Sequence, residues 1–243
     1  MTGIAHSSMP RLKGLTAALV LLVSVASAPK VGAAEPFVSL CGGGDCVVAA
    51  TTPASMAKVS LIAFSNFQCP FSGRASPTLE GLQEIYSGAL SVTFLHNPLS
   101  FHKHSRLAAI ASMAAARQGH FWQMHDLLFQ NQRLLARADL VGYAKRLGLD
   151  SARFSRDLDD GQLAEFVDRS RNIATAVGAT GTPAFFVNGK ILKGAQPFEV
   201  FKQVIDEEIA AADAAGRHGV AWMRSRTRQH NATLAAYLWD GKV

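Results

Sequence analysis

Cysteine is scarce in this 243-residue sequence, charge is thin at 17% of residues, and no apolar run beyond residue 34 approaches the length of a membrane span. Each shortage excludes something. Without a later stretch of about 20 apolar residues, no integral membrane segment is expected once the first 34 residues are removed. Without a repeat, or a low-complexity tract apart from the glycines near Cys41, a solenoid or a fibrous chain has no basis. Histidine offers no metal pattern either. His96, His102 and His104 follow one another closely, but no ligand spacing or acidic partner accompanies them, so no metal and no cofactor are expected.

The formal charge of +6 is concentrated at the two ends. Arg11, Lys13 and Lys30 lie in the first 34 residues, and removing these three cations takes the total to +3. The tail from Gly216 holds Arg217, Arg224, Arg226, Arg228 and Lys242 against Asp240, a net +4, so the body between is close to neutral. A neutral body gives no support to nucleic-acid binding.

The first residues read as an address. Arg11 and Lys13 precede "GLTAALVLLVSVASA", which runs into small residues, the layout of a secretory signal peptide. Pro29 makes cleavage after Ala28 a poor choice, so the cut is placed near Ala34 and the mature protein is expected in the periplasm or outside the cell. Disulfides persist there. Cys41 and Cys46 flank a short glycine-rich loop, "CGGGDC", and are expected to form a structural disulfide, although they could instead serve as a resolving pair. Cys69 is then a free thiol in an oxidising compartment.

The body divides into two halves around a helical stretch. "AKVSLIAFSNF" (57–67) is apolar and β-branched and predicts a buried strand. A helix follows to about Ser87, with Phe71, Ala75, Leu79, Leu82 and Ile85 along one face and a kink expected at Pro77. "LSVTFLHN" (90–97) alternates as a second strand. From about 102 to 178, four segments have helical periodicity, and Trp122, Met124 and Phe129 mark the core of this helical insertion. "AFFV", the turn "NG" and "KILKG" form a hairpin, and a helix closes the fold over 197–212, with Pro197 suited to its first turn. Strand–helix–strand followed by strand–strand–helix is the order of an α/β thioredoxin-like fold with an inserted helical cap domain. The chain is thus read as a signal peptide (1–34), a segment with Cys41 and Cys46 (35–56), the thioredoxin fold (57–212) and a basic tail (213–243). In that tail a loosely held terminal helix is expected.

Chemistry converges on "NFQCPFSGR" (66–74). Cys69 stands where a strand feeds the first turn of a helix, and unpaired N–H groups there favour a thiolate. Pro70 suits the first helical position, and Ser72 lies one turn on, placed to donate a hydrogen bond to the sulfur. His102 or His96 is placed to raise the positive potential around it. In "GTPAFFV", Pro183 is a candidate cis peptide. A cis bond there leaves the Thr182 backbone available to an extended substrate strand.

Taken together, "FSNFQCPFS", "FLHNPLSFHKHSRLAAIA", "GHFWQMHDLLFQNQ" and "VGATGTPAFFVNGKILKGAQPFEVF" resemble the DsbA-like thiol–disulfide oxidoreductases of the thioredoxin superfamily. The resemblance implies Cys69 as the attacking thiol, Pro70, Phe71 and Ser72 as the rest of the redox-active centre, and Thr182 and cis-Pro183 as the substrate contact. Three positions depart from that family: Ser72 replaces its second cysteine, Ala63 its buried acid and Asn66 an aspartate. A thiol–disulfide oxidoreductase or isomerase acting through a single cysteine is therefore expected. Its partners would be exported proteins with cysteines or disulfides, with glutathione or another redox protein as resolving thiol. The alternative expectation is a redox-silent binding or chaperone protein that keeps the substrate groove.

Overall fold

Residues 55–240 are described by the computed structural model; the expected signal peptide, Cys41 and Cys46 lie outside them. Among the described residues, four strands form one mixed sheet in the order β2-β1-β3-β4. β1 (Val59–Ser65) runs parallel to β2 (Leu90–His96) and antiparallel to β3 (Ala184–Val187), which pairs antiparallel with β4 (Lys190–Lys193). α1 (Pro70–Ile85) makes the crossover that a parallel pair requires.

The sheet is covered on both faces, and its side-chain alternation sorts two cores. Val59, Leu61, Ala63, Phe185 and Val187 pack with Ala75, Leu79 and Leu82 of α1 and with Phe201 and Ile205 of α7 (Phe198–Ala215). Ile62, Phe64, Ala184 and Phe186 face the larger core of the helical cap. That cap comprises α2 (Ser105–Ala116), α3 (Phe121–Gln130), α4 (Arg137–Arg146), α5 (Ser151–Asp157) and α6 (Gly161–Ala176). α2 is almost wholly buried, and its alanines let neighbouring helices approach closely. Met124 is buried in this core, with Trp122 and Phe129 packed against it.

Several elements differ from the sequence reading for physical reasons. Every residue of β2 is buried, including Ser91 and Thr93, because helices lie on both sides of it. α1 keeps Ala75, Leu79 and Leu82 inside but leaves Phe71 and Ile85 exposed, while their neighbours Ser72 and Tyr86 are buried, so the covered stripe runs through Ser72, Ala75, Leu79, Leu82 and Tyr86. Pro77 lies within α1 without ending it. Pro197 is the N-cap of α7 rather than its first residue.

The tail is not loosely held. α8 (Gly219–His230) and α9 (Ala232–Trp239) dock on the body, with Met223, Leu234 and Leu238 buried. Gly219 N–H donates to Ala57 O at 2.7 Å. Arg226 donates to both oxygens of the buried Glu208 at 2.9 and 2.7 Å, and Asn188 and Lys190 add contacts at 3.1 and 3.0 Å. Burial works to raise the Glu208 pKa, but these partners outweigh it and hold the carboxyl at about 2. The hairpin turn is closed by Asn188 and Gly189 at φ 45° and 92°, the left-handed pair that a type I′ turn demands. A Cβ on Gly189 would lie 2.8 Å from Thr227 O, so the turn accepts α8 only because it has none.

Candidate active site

Cys69 is the N-cap of α1, with extended backbone (φ −83°, ψ 121°) and Pro70 immediately inside the helix. Its carbonyl accepts the first helical bond, from Gly73 N–H at 3.1 Å. The sulfur does not cap the helix. It faces the loop before β3, where the thiol donates to Thr182 O at 3.3 Å. Thr182–Pro183 is a cis peptide bond. Two segments 113 residues apart thus meet at one sulfur, and Cys69 is 4% exposed.

Asn66 organises the loop behind the thiol. Its Oδ1 accepts from Gln68 N–H at 2.9 Å, and its Nδ2 lies 3.0 Å from His102 Nδ1. With the amide donating, His102 accepts at Nδ1, the role of a neutral ring; burial lowers the His102 pKa in the same sense. An aspartate could accept from Gln68 but could not donate to this nitrogen. Ala63, at the other departure from the resemblance, is fully buried in the apolar core beneath α1, where an acid would be desolvated.

Ser72 is buried and close by, but its hydroxyl accepts from Asn66 N–H at 3.4 Å. Among the described residues no hydrogen bond joins it to the Cys69 sulfur, so the expected donation to sulfur is not seen. His96 and His102 do not supply positive potential. His96 is enclosed by Phe67, Phe94, Phe121 and Phe166, and burial, with His125 nearby, pushes its pKa down to about 3. Burial thus favours the neutral form of both rings.

Sequence reasoning missed Gln132. It follows α3 in the cap, and its Nε2 donates to Phe67 O at 2.7 Å and to Cys69 O at 2.8 Å. Its Oε1 occupies the space where a Cβ on Gly73 would stand, at 2.7 Å. The cap therefore holds the carbonyls on either side of Gln68. Nothing local to "FQNQ" signals this, because the partners lie more than sixty residues away. Phe71 is 55% exposed and Phe101 76% exposed. Arg74 lies over the Phe71 ring at 4.4 Å, and Phe101 packs edge-on against His102.

Comparison with known proteins agrees with this architecture. The DSBA-like thioredoxin domain matches residues 60–206. The chain is 38% identical over 157 residues to Na(+)/H(+) antiporter NhaA 3 of Salinispora tropica, covering 64% of this chain and 24% of that protein. It is 37% identical over 150 residues to NhaA of Herminiimonas arsenicoxydans, covering 62% and 24%. The chain thus spans about a quarter of the length of the curated relatives it matches. A thioredoxin-like oxidoreductase from Silicibacter pomeroyi superposes with TM-score 0.61 at 23% identity, covering 70% of this chain and 95% of that one. Oxidised BdbD from Bacillus subtilis gives 0.58 at 25% identity, covering 63% and 89%. The thiol-disulfide exchange protein α-DsbA2 from Wolbachia pipientis gives 0.60 at 17% identity, covering 70% and 90%. The match over 60–206, on a four-stranded sheet with its helical cap, makes this chain a member of the DSBA-like thioredoxin domain family.

Proposed function

We propose that this chain is an exported, periplasmic or secreted, thiol–disulfide exchange protein that works through Cys69 as its single nucleophile. The observation that carries the reading is the placement of that thiol: at the N-terminus of α1, 3.3 Å from the carbonyl preceding a cis-proline. A substrate strand laid along Thr182 would bring its disulfide to the sulfur. The Cys69 thiolate attacks one sulfur of that disulfide; a mixed disulfide forms and the other sulfur leaves as a thiolate. With Ser72 in place of a second cysteine, an outside thiol must release the adduct. That thiol is a second cysteine of the substrate, which gives isomerisation, or glutathione or another redox protein, which gives reduction. Cys41 and Cys46 are either a structural disulfide or the resolving pair, and lie outside the described residues.

One observation favours a second reading, a redox-silent binding protein. The sulfur is nearly buried, and its proton is engaged by Thr182 O. Intact-mass analysis after brief exposure to oxidised glutathione separates the two. Under exchange, one glutathione maps to Cys69, Cys69→Ala abolishes it, and Ser72→Cys forms an internal disulfide that displaces it. No adduct on the parent chain would sink the exchange reading and leave the binding one. The antiporter names belong to proteins of which this chain matches about a quarter, and no described helix here is long and apolar enough to cross a membrane. Ion transport is not part of the proposal.

A further inference from the structure

Four stretches of chain wall the opening above Cys69, and their charges are one-sided. The redox loop and first turns of α1 (66–79) carry the thiol. Stretch 97–106 is tied to it by His102 on Asn66 and by His104 N–H on Gln68 Oε1 at 2.8 Å. Stretch 127–138 is tied by Gln132 on the Phe67 and Cys69 carbonyls. Stretch 178–198 contributes Thr182, and Gly194 N–H donates to Pro183 O at 2.9 Å. None of the four contains an aspartate or a glutamate; the acids immediately beyond their ends are Glu80, Asp126, Asp139 and Glu199, of which Asp126 contacts His125 and Asp139 accepts from Ala136 N–H at the start of α4.

Their basic residues fall into two groups. Arg106, Arg137 and Lys190 are neutralised by Asp168, Asp159 and the Glu207/Glu208 pair. Arg74, Lys103, Arg133 and Lys193 are exposed and have no ion pair among the described residues. Each stretch supplies one of these four. The body as a whole is close to neutral, so this ring is local rather than a by-product of overall basicity. Phe71 and Phe101 are exposed on two of the same stretches, with Arg74 lying over the Phe71 ring.

From this we infer that the protein selects its exchange partners by charge: it takes cysteines or disulfides embedded in acidic, extended protein segments. The inference rests on the reading of Cys69 as the exchange nucleophile and names the substrate class of that same site. Unpaired cations on the stretches that flank the thiol steer anionic partners and raise the encounter rate, an effect that salt removes. The two exposed rings offer apolar surface for side chains between the acids.

The test is a competition of two probes on the reduced full chain. Each is a short peptide with one central cysteine carried as a mixed disulfide with neutral 2-mercaptoethanol, flanked by glutamates in one and by glutamines in the other. The Cys69 thiolate attacks the peptide sulfur, forming the Cys69–peptide disulfide, and mercaptoethanol leaves as a thiolate that takes up a proton. Rates are read by mass spectrometry with the adduct mapped to Cys69. At low salt the acidic probe should react about tenfold faster, and the ratio should fall toward about one near molar salt, where the Debye length is about 3 Å. Combining Arg74→Gln, Lys103→Gln, Arg133→Gln and Lys193→Gln should collapse the low-salt ratio, whereas Lys145→Gln on distant α4 should preserve it. Equal rates for the two probes at low salt overturn charge selection while leaving exchange at Cys69 intact. So does a combined variant that keeps the parent ratio. If neither probe reaches Cys69, the exchange reading itself fails and takes this inference with it.

Discussion

At the scale of single residues, the site depends on groups that carry no reactive chemistry. Gln132 and Gly73 share one small volume: the side-chain amide fills the place a Cβ would take. Gly73→Ala must push Gln132 away from the two carbonyls it holds, so it should cost about as much as Gln132→Ala, roughly 1–2 kcal/mol by denaturant unfolding. The two losses should be strongly non-additive, since both break the same contacts. Additive losses would show that Gly73 and Gln132 act independently. Gln132→Glu is expected to be worse than Gln132→Ala, because a carboxylate would face two carbonyl oxygens. Cys69 alkylation should slow with it if the held carbonyls position the thiol. Cys69, Pro70 and the cis-proline could be read from "CPFS" and "GTPAFFV", since a cysteine before a helix-opening proline is a local pattern. The Asn66–His102 contact and the Gln132 clamp could not, because each joins residues that only the finished fold brings together.

Among the elements, β2 shows what burial on both faces does to a polar side chain. Its last residue, His96, is enclosed by aromatic rings with neither ring nitrogen hydrogen-bonded, and its pKa lies at about 3 instead of 6.5. A base whose folded pKa is lowered takes up its proton more readily when unfolded. Its contribution to stability is therefore fully present above pH 6.5 and is lost as pH falls from 6.5 toward 3. The size of that loss is on the order of several kcal/mol. Glu208 of α7 adds to it at lower pH: its folded pKa of about 2 makes its contribution present above 4.5 and lost as pH drops through the 4.5–2 range. Melting temperatures measured from pH 7 to pH 4 should fall steeply for the parent chain. For His96→Leu the fall should be shallower, and parallel curves for the two proteins would remove His96 as the cause. Hydrophobic periodicity located β1, β2, α1 and the hairpin. It does not settle the edges of the covered stripe of α1: Phe71 and Ile85 fit the helical period yet are exposed, while the adjacent Ser72 and Tyr86 take the buried places.

For the whole molecule, the tail changes the account most. A loosely held helix is what the sequence predicts there, yet Arg226 pairs with Glu208, a carboxylate buried beneath α8. Arg226→Ala should destabilise the protein by about 3 kcal/mol, as removal of one partner from a buried ion pair does. Replacing both partners by leucine should recover much of that loss. If the double replacement is no better than the single one, the ion pair is not the source of the cost. The sequence could not reveal this pairing, because a basic helix on the surface and one over a buried acid have the same composition. The tail also touches both layers. α8 grips the hairpin turn and α7, while Leu234 and Leu238 of α9 enter the core of the cap. It works as a tie-bar: cap and sheet cannot swing apart without stripping it off. The opening at Cys69, bounded by Thr182 on one side and by cap-held carbonyls on the other, then has a fixed aperture. On the proposed exchange reading, access would then be the partner's task. A loose or partly unfolded chain would thread in at once, while a tightly folded one would wait for its own fluctuations to expose a cysteine, so the partner's mobility would govern the rate.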